Sequence, residues 1–189
     1  MFEHVDAVAI GPGLSRDPTT MTLARRVVAE CPRTVVVDAD ALTAVAEEPA
    51  LLARARGPRV LTPHLGEMAR LTGVSTAELE ATRIDAARPH AEAWRAIVVL
   101  KGAPTVVAGP DGRTLVSPPG NPGMATAGMG DVLTGVTVAL VAQGLKPFEA
   151  AGLAAYVHGA RSGAAGRSGR ERDRTREPHR SADDEHAPG

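Results

Sequence analysis

The sequence predicts an α/β fold in which a mostly parallel sheet carries helices on both faces. Three observations lead there. Short β-branched runs alternate with helical patterns along most of the chain. Those runs are apolar on both faces, as strands buried between two helical layers must be. At 189 residues and 43% hydrophobic content, the chain is long enough for one well-buried domain.

The first run is VDAVAI (5–10), followed directly by GPG (11–13). Two glycines there let the backbone turn sharply and approach a ligand, although a plain strand-to-helix turn needs the same residues. A helical pattern covers 18–30. The second strand is RTVVVD (33–38), and in VVVDADAL both Asp38 and Asp40 stand between it and a helix at 41–47. Asp40 is expected to cap that helix by accepting hydrogen bonds from its free amides. Asp38 is then left for a cation or phosphate site.

RVLT (59–62) is the third strand, and LTPHLGEM (61–68) opens a helix at 64–72. His64 and Glu67 are three residues apart, so both can lie on one side of its first turn, facing the crevice beyond the strand ends. A polar cap and a dipole-stabilised acid would look the same. A helix over 75–95 leads to AIVVLK (96–101). Lys101 ends an otherwise apolar strand, a costly place for an ammonium unless an anion or acid meets it. In TVVAGPDGRTLVS, Pro-Asp-Gly between two strand-like runs predicts a β-hairpin. Helices at roughly 128–143 and 147–160 complete the pattern.

GNPGMATAGMGDVLTG (120–135) puts five glycines and one acid, Asp131, where an apolar helix begins. Unpaired amides and the positive end of the helix dipole make such a start a phosphate cradle, with Gly128 and Gly130 keeping it bare. Asp131 would sit inside that cradle. Complementing the dipole alone would not require Gly-Met-Gly beside it.

Formal net charge is -1 from 21 basic and 22 acidic residues, which gives no electrostatic footprint for nucleic acid. The single cysteine, Cys31, cannot form an intramolecular disulfide and fits a reducing compartment. Glu3, His4 and Asp6 interrupt any export signal at the amino terminus. The apolar run from Val132 to Ala142 is shorter than the roughly 20 residues that span a bilayer. A cytoplasmic protein with no membrane partner is expected. From residue 161 onward the chain contains no Val, Ile, Leu, Phe or Met. The expectation is one domain over 1–160 and a disordered Arg-rich tail over 161–189, whose interleaved acids argue against a nucleic-acid arm.

The series GPGL, VVDADAL, LTPHLGEM, VVLKGAPTVV and GNPGMATAGMGDVLTG, in that order over about residues 5–159, resembles the ADP/ATP-dependent NAD(P)H-hydrate dehydratase family of the ribokinase-like superfamily. GNPGMAT followed by GxGDVLTG is specific to this family, whereas GxGD alone belongs to the superfamily. The resemblance implies a three-layer ribokinase-like fold and a lyase of metabolite repair. Such enzymes phosphorylate the hydroxyl of the hydrated ring of NADHX or NADPHX from ADP or ATP, and phosphate then departs to regenerate NADH or NADPH. By carry-over, Gly13 and His64 would contact the hydrated dinucleotide. Lys101, Gly102, Ala103, Pro104 and Thr105, with Asn121, Gly128 and Gly130, would hold the adenine nucleotide. Asp131 would touch the substrate and accept its hydroxyl proton as general base. Mg²⁺ is implied by phosphoryl transfer, with Glu67 an outer contributor through water. Members of the family are usually homo-oligomers.

The sequence departs from the family pattern at Ser15, where a glycine is usual, at Leu65, where proline is common, and at Ala127 and Met129. Family members also carry strands and a helix ahead of the first strand here, and an apolar helix near the end. A fold incomplete at the N-terminus, a truncated member with exposed sheet edges, is therefore expected. Two other activities fit the residues: a ribokinase-like kinase of a small alcohol, and a nucleotide-binding remnant without turnover.

Overall fold

A computed structural model describes residues 4–117 and 129–159. Strands β1 (Ala7–Ile10), β2 (Thr34–Val37), β3 (Arg59–Leu61) and β4 (Ile97–Leu100) run parallel in that order. β5 (Val106–Ala108) and β6 (Thr114–Val116) extend the sheet as the antiparallel hairpin expected around Pro110-Asp111-Gly112.

The pleat divides the strand side chains between two cores. Val35, Val37, Leu61, Val98 and Leu100 join one cluster with residues of α1 (Pro18–Glu30), α2 (Ala39–Ala46), α3 (Leu65–Thr72), α4 (Thr76–Ala81) and α5 (Arg83–Trp94). Val36, Val60, Ile97 and Val99 face the other way, onto Leu133 of α6 (Met129–Ala142) and onto Phe148, Ala151 and Ala154 of a helix α7 at 147–159. Successive parallel strands step in one direction, so right-handed crossovers put α1 to α5 on a single face. α6 returns along the other face, against β1 and β2. The result is three layers, with the sheet's continuous apolar strands between them.

Local signals set the helix starts. Asp17 accepts from the amides of Thr19 and Thr20 at 2.9 and 3.4 Å, and Pro18 occupies the first turn of α1, where its missing N–H costs nothing. α3 stops at Gly73, whose φ of 76° is the left-handed cap conformation.

Several expectations need correction. The helix after β2 begins at Ala39, and its cap is Asp38, which accepts the Ala39 amide at 2.9 Å. Asp40 instead lies in the first turn and receives Ser15 N and Arg16 Nε, both at 3.2 Å. The helix expected over 75–95 is broken at Thr82 into α4 and α5, with Ser75 capping the first. A 3-10 helix at Pro49–Arg54 was not anticipated. The 161–189 tail lies outside the described residues.

Arg59 begins β3 at 1% exposure and has no acid beside it. Its guanidinium donates to the carbonyls of Val28 (2.5 Å), Cys31 (2.6 Å), Arg33 (3.0 Å) and Pro58 (2.9 Å). The first three belong to the end of α1 and the turn after it, so one side chain satisfies acceptors at that turn, while the Pro58 carbonyl also accepts the Val35 amide at 3.0 Å. Burial lowers its pKa to about 10, with Cys31 acting in the opposite direction, and the group stays charged at neutral pH. Among the described residues no helix is long and apolar enough to cross a membrane.

Candidate functional site

The carboxyl ends of the four parallel strands share one edge of the sheet, where open α/β folds bind their ligands. β1 ends in Gly11, β2 in Asp38, β3 in Thr62-Pro63-His64 and β4 in Lys101. Gly11 has φ 132°, and a Cβ on it would lie 1.7 Å from the Asp38 carbonyl oxygen. The GPG turn therefore packs main chain against main chain at the end of β2, which only glycine permits.

Asp38 is 1% exposed, and three donors from three parts of the chain meet its carboxylate. Lys101 Nζ donates to Oδ1 at 2.8 Å, the Ala39 amide to Oδ1 at 2.9 Å, and Thr134 Oγ1 to Oδ2 at 2.8 Å. Lys101 thus finds the acid that its place at a strand end demands. A second carboxylate, Glu67 Oε2, stands 3.6 Å from the same ammonium. Removing one partner of a buried ion pair typically costs ~3–5 kcal/mol, because the other charge is left uncompensated.

Glu67 and His64 form a capping box. Glu67 Oε2 accepts the His64 amide at 2.8 Å, while His64 Nδ1 accepts the amides of Gly66 and Glu67 at 2.9 and 3.2 Å. An accepting Nδ1 leaves Nε2 as the N–H of the neutral ring. Nε2 lies 3.5 Å from Glu67 Oε1, and the imidazole is 60% exposed against 9% for the Glu67 side chain. Capping and access for a ligand therefore coexist in His64.

Across the crevice, Gly130 sits in the first turn of α6. A Cβ there would come within 3.4 Å of Lys101 Nζ and 3.7 Å of Asp38 Oδ2, so the missing side chain leaves the ammonium beside bare helix amides. Asp131 follows it and is exposed, whereas Thr134 is 2% exposed. Gly13 is exposed with φ 67° and open space around it. Asn121 and Gly128 lie outside the described residues.

The Lys101–Thr105 loop is held from below. Thr105 Oγ1 donates to Gly102 O at 2.9 Å, and the Ala103–Pro104 peptide is cis. Arg83, at the start of α5, donates Nη1 to the carbonyls of Lys101 and Pro104 at 3.3 and 3.4 Å and pairs through Nη2 with Glu80. Gly102 has φ 156°, and a Cβ on it would stand 2.1 Å from Arg83 Nη1. Arg83 Nε is buried without a partner among the described residues.

The structure brings His64, Glu67, Lys101, Gly130 and Asp38 into one cluster, and Asp131, the residue after Gly130, is exposed. Two residues that hold the cluster in place, Thr134 and Arg83, were not expected from the sequence. Thr134 had a faint signal, being four residues after Gly130 and so on the same helical face. Arg83 had none, since the carbonyls it holds are 18 and 21 residues away.

Among the described residues no group of three or more His, Cys, Asp or Glu could hold a metal ion. Lys101 stands between Asp38 and Glu67, where a cation would otherwise sit. Both Asp38 oxygens are already hydrogen-bonded, so Mg²⁺ would be held chiefly by waters and substrate phosphates, with Glu67 contributing through water.

The NAD(P)H-hydrate dehydratase family profile matches residues 1–175. The bifunctional NAD(P)H-hydrate repair enzyme Nnr of Moorella thermoacetica is 54% identical over 157 residues, which cover 83% of this chain and 30% of that enzyme. The ADP-dependent (S)-NAD(P)H-hydrate dehydratase of Xanthomonas campestris is 42% identical over 153 residues, covering 81% of this chain and 51% of its own length. Among solved structures, the ADP/ATP-dependent NAD(P)H-hydrate dehydratase from Bacillus subtilis, co-crystallized with ATP/Mg²⁺ and soaked with CoA, superposes with a TM-score of 0.72 at 36% identity. That match covers 84% of this chain and 57% of that one. The chain spans between 30% and 57% of the length of these relatives.

Proposed function

The chain belongs to the NAD(P)H-hydrate dehydratase family, and from that premise we propose that it takes part in nucleotide-dependent dehydration of NADHX or NADPHX to NADH or NADPH. The observation that supports this reading best is the approach of Lys101 Nζ to the start of α6 at Gly130, with the exposed carboxylate of Asp131 next in the chain. An ammonium, a bare helix start and an exposed carboxylate are the three things phosphoryl transfer to an alcohol requires there.

In this reading Asp131 accepts the proton of the ring hydroxyl as its oxygen attacks the terminal phosphorus of ADP or ATP. The bond from that phosphorus to the nucleotide's bridging oxygen breaks, and AMP or ADP leaves. Phosphate then departs from the ring carbon, a proton leaves the adjacent carbon, and the ring double bond returns. Lys101 and the amides at the head of α6 oppose the charge that builds on the transferring group. Bound Mg²⁺ would neutralise phosphate oxygens, with Glu67 in reach through water. His64 and Gly13 line the side assigned to the hydrated dinucleotide, and the Lys101–Thr105 loop that of the adenine nucleotide, with Asn121 and Gly128 as further nucleotide contacts. A cytoplasmic homo-oligomer is the setting this reading carries with it.

The test is to incubate the chain with NADHX and either ADP or ATP and follow the reduced-nicotinamide absorbance together with released phosphate. Equal amounts of NADH and phosphate, absent for Asp131→Asn, are expected. No NADH with either donor, from folded protein, would defeat the reading.

A further inference from the structure

We propose that Asp38 is a positioning residue, one that fixes the Lys101 ammonium and the first turns of α6 in a single arrangement so that the phosphate-holding groups and Asp131 address the same reacting atoms. This rests on the functional reading above and names a residue that does not itself touch substrate.

A carboxylate at 1% exposure is costly unless fully satisfied, and each of the three donors to Asp38 comes from a different piece of the site. Lys101 lies 63 residues away at the end of β4, Thr134 lies 96 residues away on α6, and the Ala39 amide opens α2. No other described side chain joins the two faces of the sheet at this edge in hydrogen-bonded contact with both Lys101 and α6. Glu67 is the lesser partner of Lys101, at 3.6 Å against 2.8 Å, and its Oε2 already accepts the His64 amide.

The Thr134 bond also sets how α6 is turned about its axis. Gly130, Thr134 and Thr137 occupy one face, with both threonines buried, while Asp131, Val132 and Gly135 are exposed. Each residue advances a helix by about 100°, so a turn that carried Thr134 to the exposed place of Gly135 would break its bond to Asp38. Backbone geometry supports a fixed role. Ala39, immediately after Asp38, has φ 46°, a left-handed conformation that is strained for a residue with a Cβ and persists only where surroundings enforce it. From the other side, the Gly11 main chain abuts the Asp38 carbonyl.

The decisive experiment is a pair of double-mutant cycles on the full chain, Asp38→Asn with Lys101→Met and Thr134→Val with Lys101→Met. ADP affinity is read by calorimetry, and kcat and KM for NADHX by the dehydratase assay. Asp38→Asn keeps the shape and a hydrogen-bonding partner for Thr134 but removes the charge that holds Lys101. If Asp38 acts through Lys101, the two losses overlap, and the double variant should retain at least about tenfold more ADP affinity than the product of the single effects allows. Thr134→Val should lower kcat by about tenfold with little change in ADP affinity, because it frees α6 and leaves Lys101 paired. An additive Asp38–Lys101 cycle in ADP affinity, in variants whose melting temperatures show folded protein, would overturn the proposal. Should Asp38→Asn fail to fold, the Thr134 cycle read in kcat decides alone: coupling to Lys101 supports the proposal and additivity overturns it. Wild type that binds ADP but leaves NADHX unchanged would defeat the functional reading while the ADP cycle still judges Asp38. Wild type with no ADP affinity defeats both.

Discussion

Thr134 Oγ1 lies 2.8 Å from Asp38 Oδ2, joining a helix on one face of the sheet to the end of a central strand. With Thr134 and Leu133 buried, Asp131, the only acid of α6, is exposed.

Asp131 is exposed. Replacing it by Asn should therefore change stability by no more than about 0.5 kcal/mol. If it is the base, kcat should nonetheless fall by about a hundredfold or more. Melting temperature and kcat measured on the same preparation check this, and an unchanged kcat would remove the base from Asp131.

Two glycines of one turn should behave oppositely. At Gly11 a Cβ would meet the Asp38 carbonyl oxygen at 1.7 Å, so Gly11→Ala must move β2's end and should destabilise by about 3 kcal/mol or more. At Gly13 there is open space and only the φ of 67° to oppose a side chain, worth about 1 kcal/mol. A Gly13→Ala variant that folds yet raises the KM for NADHX would report a ligand at that position. Chemical denaturation and steady-state kinetics separate the two effects.

Gly102→Ala would push a Cβ to 2.1 Å from Arg83 Nη1. The guanidinium would have to release the Lys101 and Pro104 carbonyls, so the KM for nucleotide should rise by about tenfold, with Arg83→Lys giving a similar rise because an ammonium cannot span both carbonyls. The two changes together should cost little more than one, since they break the same clamp. Nucleotide KM values for the singles and the double check it, and full additivity would count against a shared clamp.

Arg59→Met should destabilise more than either loop variant, although it lies away from the crevice. The carbonyls of Val28, Cys31 and Arg33 would lose this donor, at about 1–3 kcal/mol for each left unsatisfied, while that of Pro58 keeps the Val35 amide at 3.0 Å. A loss of about 3 kcal/mol or more in urea unfolding is expected. Arg59→Lys should recover a part, because an ammonium has three donors and no planar fork.

The hairpin carries a pH-sensitive tie to α7. Arg113 donates to Asp111 at 2.7 Å and Glu149 at 3.0 Å, and stacks its guanidinium 4.3 Å from the Phe148 ring centroid. Asp111 is held below its usual value chiefly by its hydrogen bond from Arg113, and Glu149 chiefly by a backbone amide at the helix start and then by Arg113. Both carboxyls have depressed folded-state pKa values, so the tie contributes fully above about pH 4–5 and is lost as pH falls through the folded values. Carboxyl NMR titration of Arg113→Ala should return Asp111 most of the way to an ordinary value and Glu149 only in part. Equal recovery of both would show that the helix start does not hold Glu149.

What could be read in advance follows from the range of the forces involved. The apolar runs at 34–37, 59–61 and 97–100 are local facts, and a strand apolar on both faces has no stable home except between two layers. Pro110-Asp111-Gly112 likewise encodes its own turn. Lys101 announced a buried acid nearby because an unpaired ammonium there is too costly. The same reasoning misassigned the cap of α2, since Asp38 and Asp40 are both good capping residues and the choice fell to Arg16 and Ser15, which engage Asp40 from another loop.

The sequence alone determined the layers, the strand ends where a site must lie, and the residue types able to handle a phosphate. Only the tertiary structure decided that Asp38 is the acid Lys101 meets, that Thr134 fixes the rotation of α6, and that Arg83 clamps the loop after β4. Those pairs are separated by 63, 96 and about 20 residues. Hydrogen bonds act over about 3 Å, so partners that far apart in the chain are chosen by how the layers pack and leave no periodic trace along it.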